Sequence, residues 1–123
     1  MAVIAMFAGL ITSDAGASGG ISTGGDTSAK KYSRAWYNQI WENTGPRNKR
    51  WARRTSECES GGDPNAYNSA GPYYGAFQFM LQTWRTSPKT PGGNPVNYNW
   101  RTQAVVAVAL KKRDGAGHWP VCG

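Results

Sequence analysis

The sequence predicts one small α+β domain that is mainly helical and carries a short β element near its middle. The chain has 123 residues, the size of a single domain with a modest core. The segment Trp100–Asp114 is apolar almost all round at its centre, which is typical of a buried helix. The segment Tyr73–Phe79 is rich in aromatic residues, which favours a short strand or hairpin, and Gly75 inside it indicates a close backbone approach. We expect the domain to cover residues 32–123, with a basic extension at its start.

The first 31 residues are expected to lie outside this domain. Residues 1–17 contain an apolar run followed by small residues, a pattern typical of a signal peptide. The run is too short to span a bilayer as a helix, which takes about 20 residues. No Lys or Arg precedes it, so an apolar N-terminal arm is the alternative. Residues 18–31 are rich in Gly, Ser and Thr, which is typical of a flexible linker.

Two helices are expected before the β element. In the first, Tyr32–Glu42, the side chains of Trp36 and Ile40 share one face, and Trp41 is a further candidate for it. The second covers Trp51–Ser60, and the pair Gly61-Gly62 is a natural stop for it.

Two further helices are expected after the β element. Leu81–Thr86 predicts a short helix, and the Pro- and Gly-rich segment Ser87–Asn97 predicts a loop. The long helix Trp100–Asp114 follows. The basic run Lys111–Arg113 suits its C-terminal end because of the helix dipole, and Gly115 is expected to cap it.

The charge of the chain favours an anionic partner. It has 14 Lys and Arg against 7 Asp and Glu, a net charge of +7. Nucleic acid, anionic lipid and anionic cell-wall polymers all fit this charge. The densest basic run, Arg47–Arg54, is typical of a solvated helix face or a linker, and an anchor for phosphate or wall polyanions is the alternative. No known DNA-reading motif accompanies the aromatic residues, so nucleic acid is the less favoured partner.

Glu59 is the candidate general acid. It falls in the last turn of a predicted helix, where the helix dipole and aromatic neighbours would raise the pKa of its carboxyl. A carboxylic acid that stays protonated near neutral pH can protonate the leaving oxygen of a glycosidic bond. From position alone, an exposed helix-end glutamate is the alternative. Glu57 would point away on a helix and Asp63 lies past the helix end, so the sequence favours a mechanism with one acid over a carboxylate pair.

The two cysteines, Cys58 and Cys122, leave three interpretations open. Such a pair fits a disulfide, two thiols or half of a metal site. His118 is the single histidine of the sequence, so a His/Cys zinc cluster lacks ligands. We expect no metal and no cofactor. A bridge would close a loop of roughly 65 residues and tie the chain terminus to the residue beside Glu59.

Five motifs occur in order along the second half of the chain. They are CESGG at Cys58–Gly62, YYGAFQF at Tyr73–Phe79, TW at Thr83-Trp84, Gln103 followed by VA at Val106-Ala107, and WPVC at Trp119–Cys122. Together they resemble the transglycosylase-like domain of actinobacterial resuscitation-promoting factors, over about Trp51–Gly123. ESGGDPNAYN and YGAFQ are also similar to the broader lytic transglycosylases of lysozyme-like fold.

The resemblance implies a small lysozyme-like domain that cuts peptidoglycan glycan strands at the MurNAc–GlcNAc β-1,4 bond. Glu59 matches the single catalytic acid of the family, and Cys58 and Cys122 match the family disulfide. The resemblance also implies substrate-binding residues along the glycan groove and beside the acid: Tyr74, Gln78, Thr83 and Gln103.

The sequence departs from the family pattern at several positions. Asp63-Pro64-Asn65 follows CESGG where the family usually has Asn-Trp, so one aromatic wall of the groove is absent or supplied elsewhere. Ala76 replaces the second Gly of YYGG, and Thr102 replaces a Glu. Trp51 stands one residue further from the acid than usual. These changes affect the predicted subsites more than the predicted reaction.

The reaction and its setting have alternatives. With Glu59 as acid, attack by the C6 hydroxyl of the same sugar is lytic transglycosylation, and attack by water is muramidase activity. A glycan-binding module without turnover is the non-catalytic alternative. A secreted protein of the cell wall is the expected setting, and a phage virion, with phage structural proteins as partners, is the other.

Overall fold

A computed structural model describes residues 29–123. The predicted signal peptide or apolar arm at 1–17 and linker residues 18–28 lie outside the described residues. The chain divides into two units, with the boundary between Arg47 and Asn48, and each is described by itself.

The described part of the first unit contains helix α1, Arg34–Glu42. Ser33 caps its start, because the Ser33 hydroxyl accepts from the N–H of Trp36 at 3.2 Å. Tyr37 and Trp41 are its buried side chains. Trp36, which the sequence placed on the apolar face, is half-buried, because the centre of that face lies one residue further along the helix.

Helix α2, Pro46–Ser60, begins earlier than the sequence predicted. Proline suits the first turn of a helix, where its missing N–H has no partner to lose. The basic run Arg47–Arg54 is therefore helical. The helix ends at Gly61 and Gly62, whose φ angles are 68° and 78°. Their N–H groups donate to the carbonyls of Glu57 at 2.9 Å and Ser56 at 3.0 Å, so the predicted glycine stop is confirmed.

The β element is a two-stranded antiparallel hairpin. Strand β1 is Tyr67–Asn68 and strand β2 is Tyr73–Tyr74, with Tyr67 opposite Tyr74. The strand predicted over Tyr73–Phe79 is therefore too long. Gly75 and Gln78 have φ angles of 86° and 54°, and this left-handed backbone turns the chain back so that Phe79 bridges to Tyr74.

The remaining elements are two α-helices and two short 3-10 helices: α3 (Leu81–Thr86), a 3-10 helix at Pro95–Asn97, α4 (Trp100–Asp114) and a 3-10 helix at Ala116–His118. The side chain of Asn99 caps α4 by accepting from the N–H of Thr102 at 2.9 Å. Gly115, with φ 83°, ends α4 and donates to the carbonyl of Lys111. Both helices have the bounds that the sequence predicted.

Aromatic side chains and helix α4 form the core of the second unit. The ring of Phe77 lies 5.9 Å from Trp100 and 6.3 Å from Trp51. The indole N–H of Trp119 donates to the Phe77 carbonyl at 3.0 Å. The buried residues of α4 are Thr102, Gln103, Ala104, Val105, Val106, Ala107, Val108 and Leu110. Burying one large apolar side chain contributes about 1.5–3 kcal/mol, so this cluster holds α2 and α4 in fixed positions.

Cys58 and Cys122 form a disulfide, with Cα atoms 5.7 Å apart across a sequence separation of 64. The disulfide prediction and the predicted α+β fold class are thus confirmed. Within residues 29–123, none of the helices is both long and apolar enough to cross a membrane.

Candidate active site

Glu59 lies at the end of the buried face of α2. Residues three, four and seven positions apart share one face of a helix, and Ser56, Thr55 and Ala52, at those distances before Glu59, are all buried. Glu59 is itself half-buried. Glu57 is exposed, as expected for a residue two positions away. Helix α2 therefore carries one half-buried acid, Glu59, and one exposed acid, Glu57.

Burial raises the pKa of the Glu59 carboxyl. The physical cause is desolvation, which disfavours the charged form of a carboxylate. A raised pKa keeps a larger fraction of this side chain protonated near neutral pH. The local environment therefore suits Glu59 to proton donation.

The residue after Glu59 fastens the helix end to the hairpin. The hydroxyl of Ser60 donates to the carbonyl of Ala76 at 2.7 Å and accepts from the N–H of Asp63 at 3.1 Å. On the other side of Glu59, Cys58 is held by its disulfide to Cys122. Glu59 is thus flanked by two residues that are each tied to a distant part of the chain, which restricts where its carboxyl can lie.

Gln103 joins the loops that surround this helix end. It is fully buried, and its Oε1 accepts from the N–H of Ala76 at 2.7 Å. Its Nε2, which has two N–H groups to donate, lies within hydrogen-bond distance of the carbonyls of Pro64 at 3.0 Å, Pro95 at 2.8 Å and Tyr98 at 2.9 Å. The Gln103 amide therefore bonds to backbone groups of three loops and holds these loops together.

Gly75 is required beside this amide. A Cβ atom at this position would collide with the Oε1 of Gln103 and would lie 3.0 Å from the Cβ of Pro95. Its φ of 86° also favours glycine. The close backbone approach that the sequence predicted at Gly75 is confirmed, and the group that approaches it is Gln103.

The other predicted substrate-binding residues lie on the hairpin turn and on α3. Tyr74 is half-buried in β2, and its ring lies 5.3 Å from that of Tyr67. Gln78 is half-buried and its Nε2 donates to the Gly75 carbonyl at 3.0 Å. Thr83 is half-buried on α3. The structure thus brings Tyr74 and Gln78 to the turn that is fastened to the Glu59 helix end.

Sequence reasoning missed two residues that shape the site. Ser60 was considered only as the last residue of a helix, although its hydroxyl makes the link to Ala76. Asn65 was noted only as a departure from the family pattern. Its Nδ2 donates to the carbonyl of Val96 at 3.1 Å and its N–H donates to the Asp63 carboxylate at 2.9 Å. The bonds from Ser60 to Ala76 and from Asn65 to Val96 join residues 16 and 31 positions apart, so no local pattern could reveal them.

Across residues 29–123, no three His, Cys, Asp or Glu side chains come together in a way that could hold a metal ion.

The family model of the transglycosylase-like domain matches residues 45–122, which is more than half of the chain. The chain therefore belongs to the transglycosylase-like domain family, and at the level of the family it is a lysozyme-like module that acts on peptidoglycan. No curated protein and no solved structure matches it.

Proposed function

We propose that this protein cuts the peptidoglycan glycan strand at the MurNAc–GlcNAc β-1,4 bond, with Glu59 as the single catalytic acid. The observation that carries the proposal is the position of Glu59. It is half-buried at the end of α2, inside the range that the family model matches, and burial raises its pKa. A protonated carboxylic acid in such a place has the chemistry that glycosidic bond cleavage needs.

The first step is proton transfer from Glu59 to the oxygen that links the two sugars. The bond between this oxygen and C1 of MurNAc then breaks, which leaves an oxocarbenium-like sugar and a Glu59 carboxylate. In lytic transglycosylation, the C6 hydroxyl of the same MurNAc attacks C1 and returns its proton to Glu59. The product is a 1,6-anhydro sugar and the acid is restored. Water in place of the C6 hydroxyl gives simple hydrolysis.

The two acids closest to Glu59 along the chain have other environments. Glu57 is exposed on α2. The Asp63 carboxylate accepts from the N–H of Asn65, so it caps the turn after the helix. This arrangement supports a one-acid mechanism over a carboxylate pair.

The remaining site residues are assigned by their placement. Tyr74, Gln78 and Thr83 are half-buried side chains that we assign to contacts with the glycan. Gln103 is assigned to the same site as a positioning residue, because its amide is occupied by backbone groups. The disulfide and the wall-acting family are consistent with an extracellular location. Within it, secretion for cell-wall remodelling is the proposed setting and a phage virion is the alternative.

The experiment compares Glu59→Gln with Glu57→Gln on purified sacculi. Glu59→Gln keeps the shape of the side chain and removes the proton, so soluble fragments should no longer be released. Glu57→Gln removes an exposed acid on the same helix and should leave release unchanged. Mass spectrometry of the wild-type fragments separates the two reactions, because the anhydro product is lighter than the hydrolysed product by one water molecule. Release at the wild-type rate by Glu59→Gln would end the assignment.

A further inference from the structure

Tyr67 is an exposed aromatic residue that the proposed mechanism does not use. Its side chain is 61% exposed, more than the 47% of Tyr32. A single exposed apolar side chain is ordinary on a protein surface. Its significance therefore depends on how firmly the ring is held and on what lies beside it.

The backbone around Tyr67 is fixed by pairing with β2. Tyr67 lies opposite Tyr74 in the register of the hairpin. The N–H of Gly75 donates to the carbonyl of Ala66 at 2.8 Å, directly before Tyr67. Tyr74 is in turn bonded to Phe79 in both directions, at 2.8 and 2.9 Å. The backbone around Tyr67 is therefore held by hydrogen bonds although its strand has only two residues.

The ring of Tyr67 also has a supporting partner. Its centroid lies 5.3 Å from that of Tyr74, with the ring planes at 51°. Aromatic pairs in this range attract each other. A ring that is packed on one side and open on the other loses little conformational freedom when a ligand covers its open face.

Two hydrogen bonds link the chain neighbours of Glu59 and of Tyr67 to adjacent residues of one turn. The hydroxyl of Ser60, the residue after Glu59, bonds to the carbonyl of Ala76 at 2.7 Å. Ala76 follows Gly75, whose N–H bonds to the residue before Tyr67. Tyr67 is also the first aromatic residue after Glu59 in the sequence, because the intervening turn has none.

We propose that Tyr67 is a sugar-binding residue whose ring stacks on a pyranose of the glycan strand, next to the bond that Glu59 cuts. The C–H face of a pyranose is apolar and fits an aromatic ring, while the phenol hydroxyl stays in water. The inference rests on the proposed function, because it names a subsite of the same glycan.

The test measures binding separately from cleavage. Soluble glycan strands from purified sacculi are titrated calorimetrically into the full chain carrying Glu59→Gln, with and without Tyr67→Ala. We expect Tyr67→Ala to weaken binding about tenfold, the loss typical of a truncated aromatic anchor. Tyr67→Phe should bind within about twofold of the parent, because the ring rather than the hydroxyl makes the contact.

Tyr32→Ala is the matched control. Tyr32 is also exposed and also touches an aromatic ring, that of Trp36 at 5.2 Å, but it lies outside the residues that the family model matches. Its substitution should leave binding unchanged. The thermal midpoint of Tyr67→Ala should stay close to that of the parent, because most of the side chain is exposed.

The outcomes separate the two proposals. Parent-like binding by Tyr67→Ala overturns the inference and leaves the assignment of Glu59 intact. Weak binding by Tyr67→Ala, when wild type releases no fragments from sacculi, supports the inference and overturns the proposed enzymatic function. Absence of glycan binding by the parent overturns the inference together with the proposed substrate.

Discussion

Glu59 and Asp114 occupy matching places in two helices and behave in opposite ways. Each lies in the last turn of a helix of 15 residues, α2 or α4. Each helix is followed by a glycine with positive φ, 68° at Gly61 and 83° at Gly115. The pKa of Glu59 is nevertheless raised and that of Asp114 is strongly lowered.

The difference comes from what surrounds each carboxyl. Asp114 accepts hydrogen bonds from the Arg113 guanidinium at 2.8 and 2.9 Å and lies 2.9 Å from Nε2 of His118. Hydrogen bonds to the charged form lower a carboxyl pKa. Glu59 is half-buried, and desolvation raises its pKa. The negative end of a helix dipole is present in both cases, so a helix-end position does not by itself make a carboxyl an acid catalyst.

The largest effect that tests this comparison is on catalysis. Removing a general acid costs about 10²–10⁴-fold in rate, so Glu59→Gln should lose at least about two orders of magnitude. Asp114→Asn should retain activity within about twofold, because the Asp114 carboxyl is exposed and its hydrogen bonds go to Arg113 and His118. The measurement is the initial rate of fragment release from sacculi, with circular dichroism to confirm that both variants fold.

The pH profile sharpens the same test. Glu59 must be protonated to act, so the rate should fall as pH rises through the raised pKa of its carboxyl. Asp114→Asn should leave this falling limb in place. If Asp114→Asn shifts the fall in rate to another pH while Glu59→Gln still cleaves, then Asp114 rather than Glu59 is the catalytic acid.

The second effect concerns how the two helix ends are held. The end of α2 is tied to the C-terminal segment by the Cys58–Cys122 disulfide, which the chain-entropy model values at about 4 kcal/mol for a loop of this length. The variant Cys58→Ser with Cys122→Ser should lose stability of this order in urea denaturation. Wild type treated with reductant should show the same loss, and Asp114→Asn should not. A decrease below about 1 kcal/mol would mean that the disulfide adds little to the fold.

The third effect concerns the buried side-chain amide of Gln103. Gln103→Ala should cost about 2–4 kcal/mol, because it leaves a cavity and removes the partner of the buried Ala76 N–H. Gln82→Ala, an exposed glutamine on α3, is the matched control and should change stability by less than about 0.5 kcal/mol. Urea denaturation measures both. Equal stability of the two variants would show that the loops do not depend on Gln103.

The sequence predicted correctly those helix bounds that depend on residues at or next to the helix ends. The bounds predicted for α3 and α4 are confirmed, with Gly115 at the end of α4 as expected, and the predicted end of α2 follows from Gly61-Gly62. The length of the β element was wrong because the backbone at Gln78 is left-handed, a conformation that glutamine rarely adopts. The motif CESGG identified Glu59 as the candidate acid, but its half-burial depends on how α2 packs.

The surroundings of Gln103 and Ser60 could not be predicted in the same way. The Gln103 amide meets carbonyls from Pro64 and Pro95, and the Ser60 hydroxyl meets Ala76. The bonds to Pro64 and Ala76 join residues 39 and 16 positions apart in the sequence, so they exist only after the chain has folded. A resemblance to a family can indicate that Gln103 belongs to the site, but the structure is needed to show that its amide bonds to backbone groups of this chain.

The smallest effect is on stability as a function of pH, and its sign separates the two acids. Because the folded-state pKa of Glu59 is raised, its contribution to stability is greatest below its ordinary pKa and is lost as pH rises through the folded value. Glu59→Gln should therefore raise the melting temperature at about pH 7, by roughly 1–2 °C. At about pH 4 the difference should shrink, because wild-type Glu59 is then largely protonated.

Asp114→Asn should do the opposite. The folded-state pKa of Asp114 is lowered, so its contribution is present above its ordinary pKa and is lost as pH falls through the folded value. Asp114→Asn should therefore lower the melting temperature at about pH 7 and lose this effect in acid. The readout is a pair of thermal melts at each pH. Shifts of the same sign in the two variants at neutral pH would refute the contrast between a desolvated carboxyl and a hydrogen-bonded one.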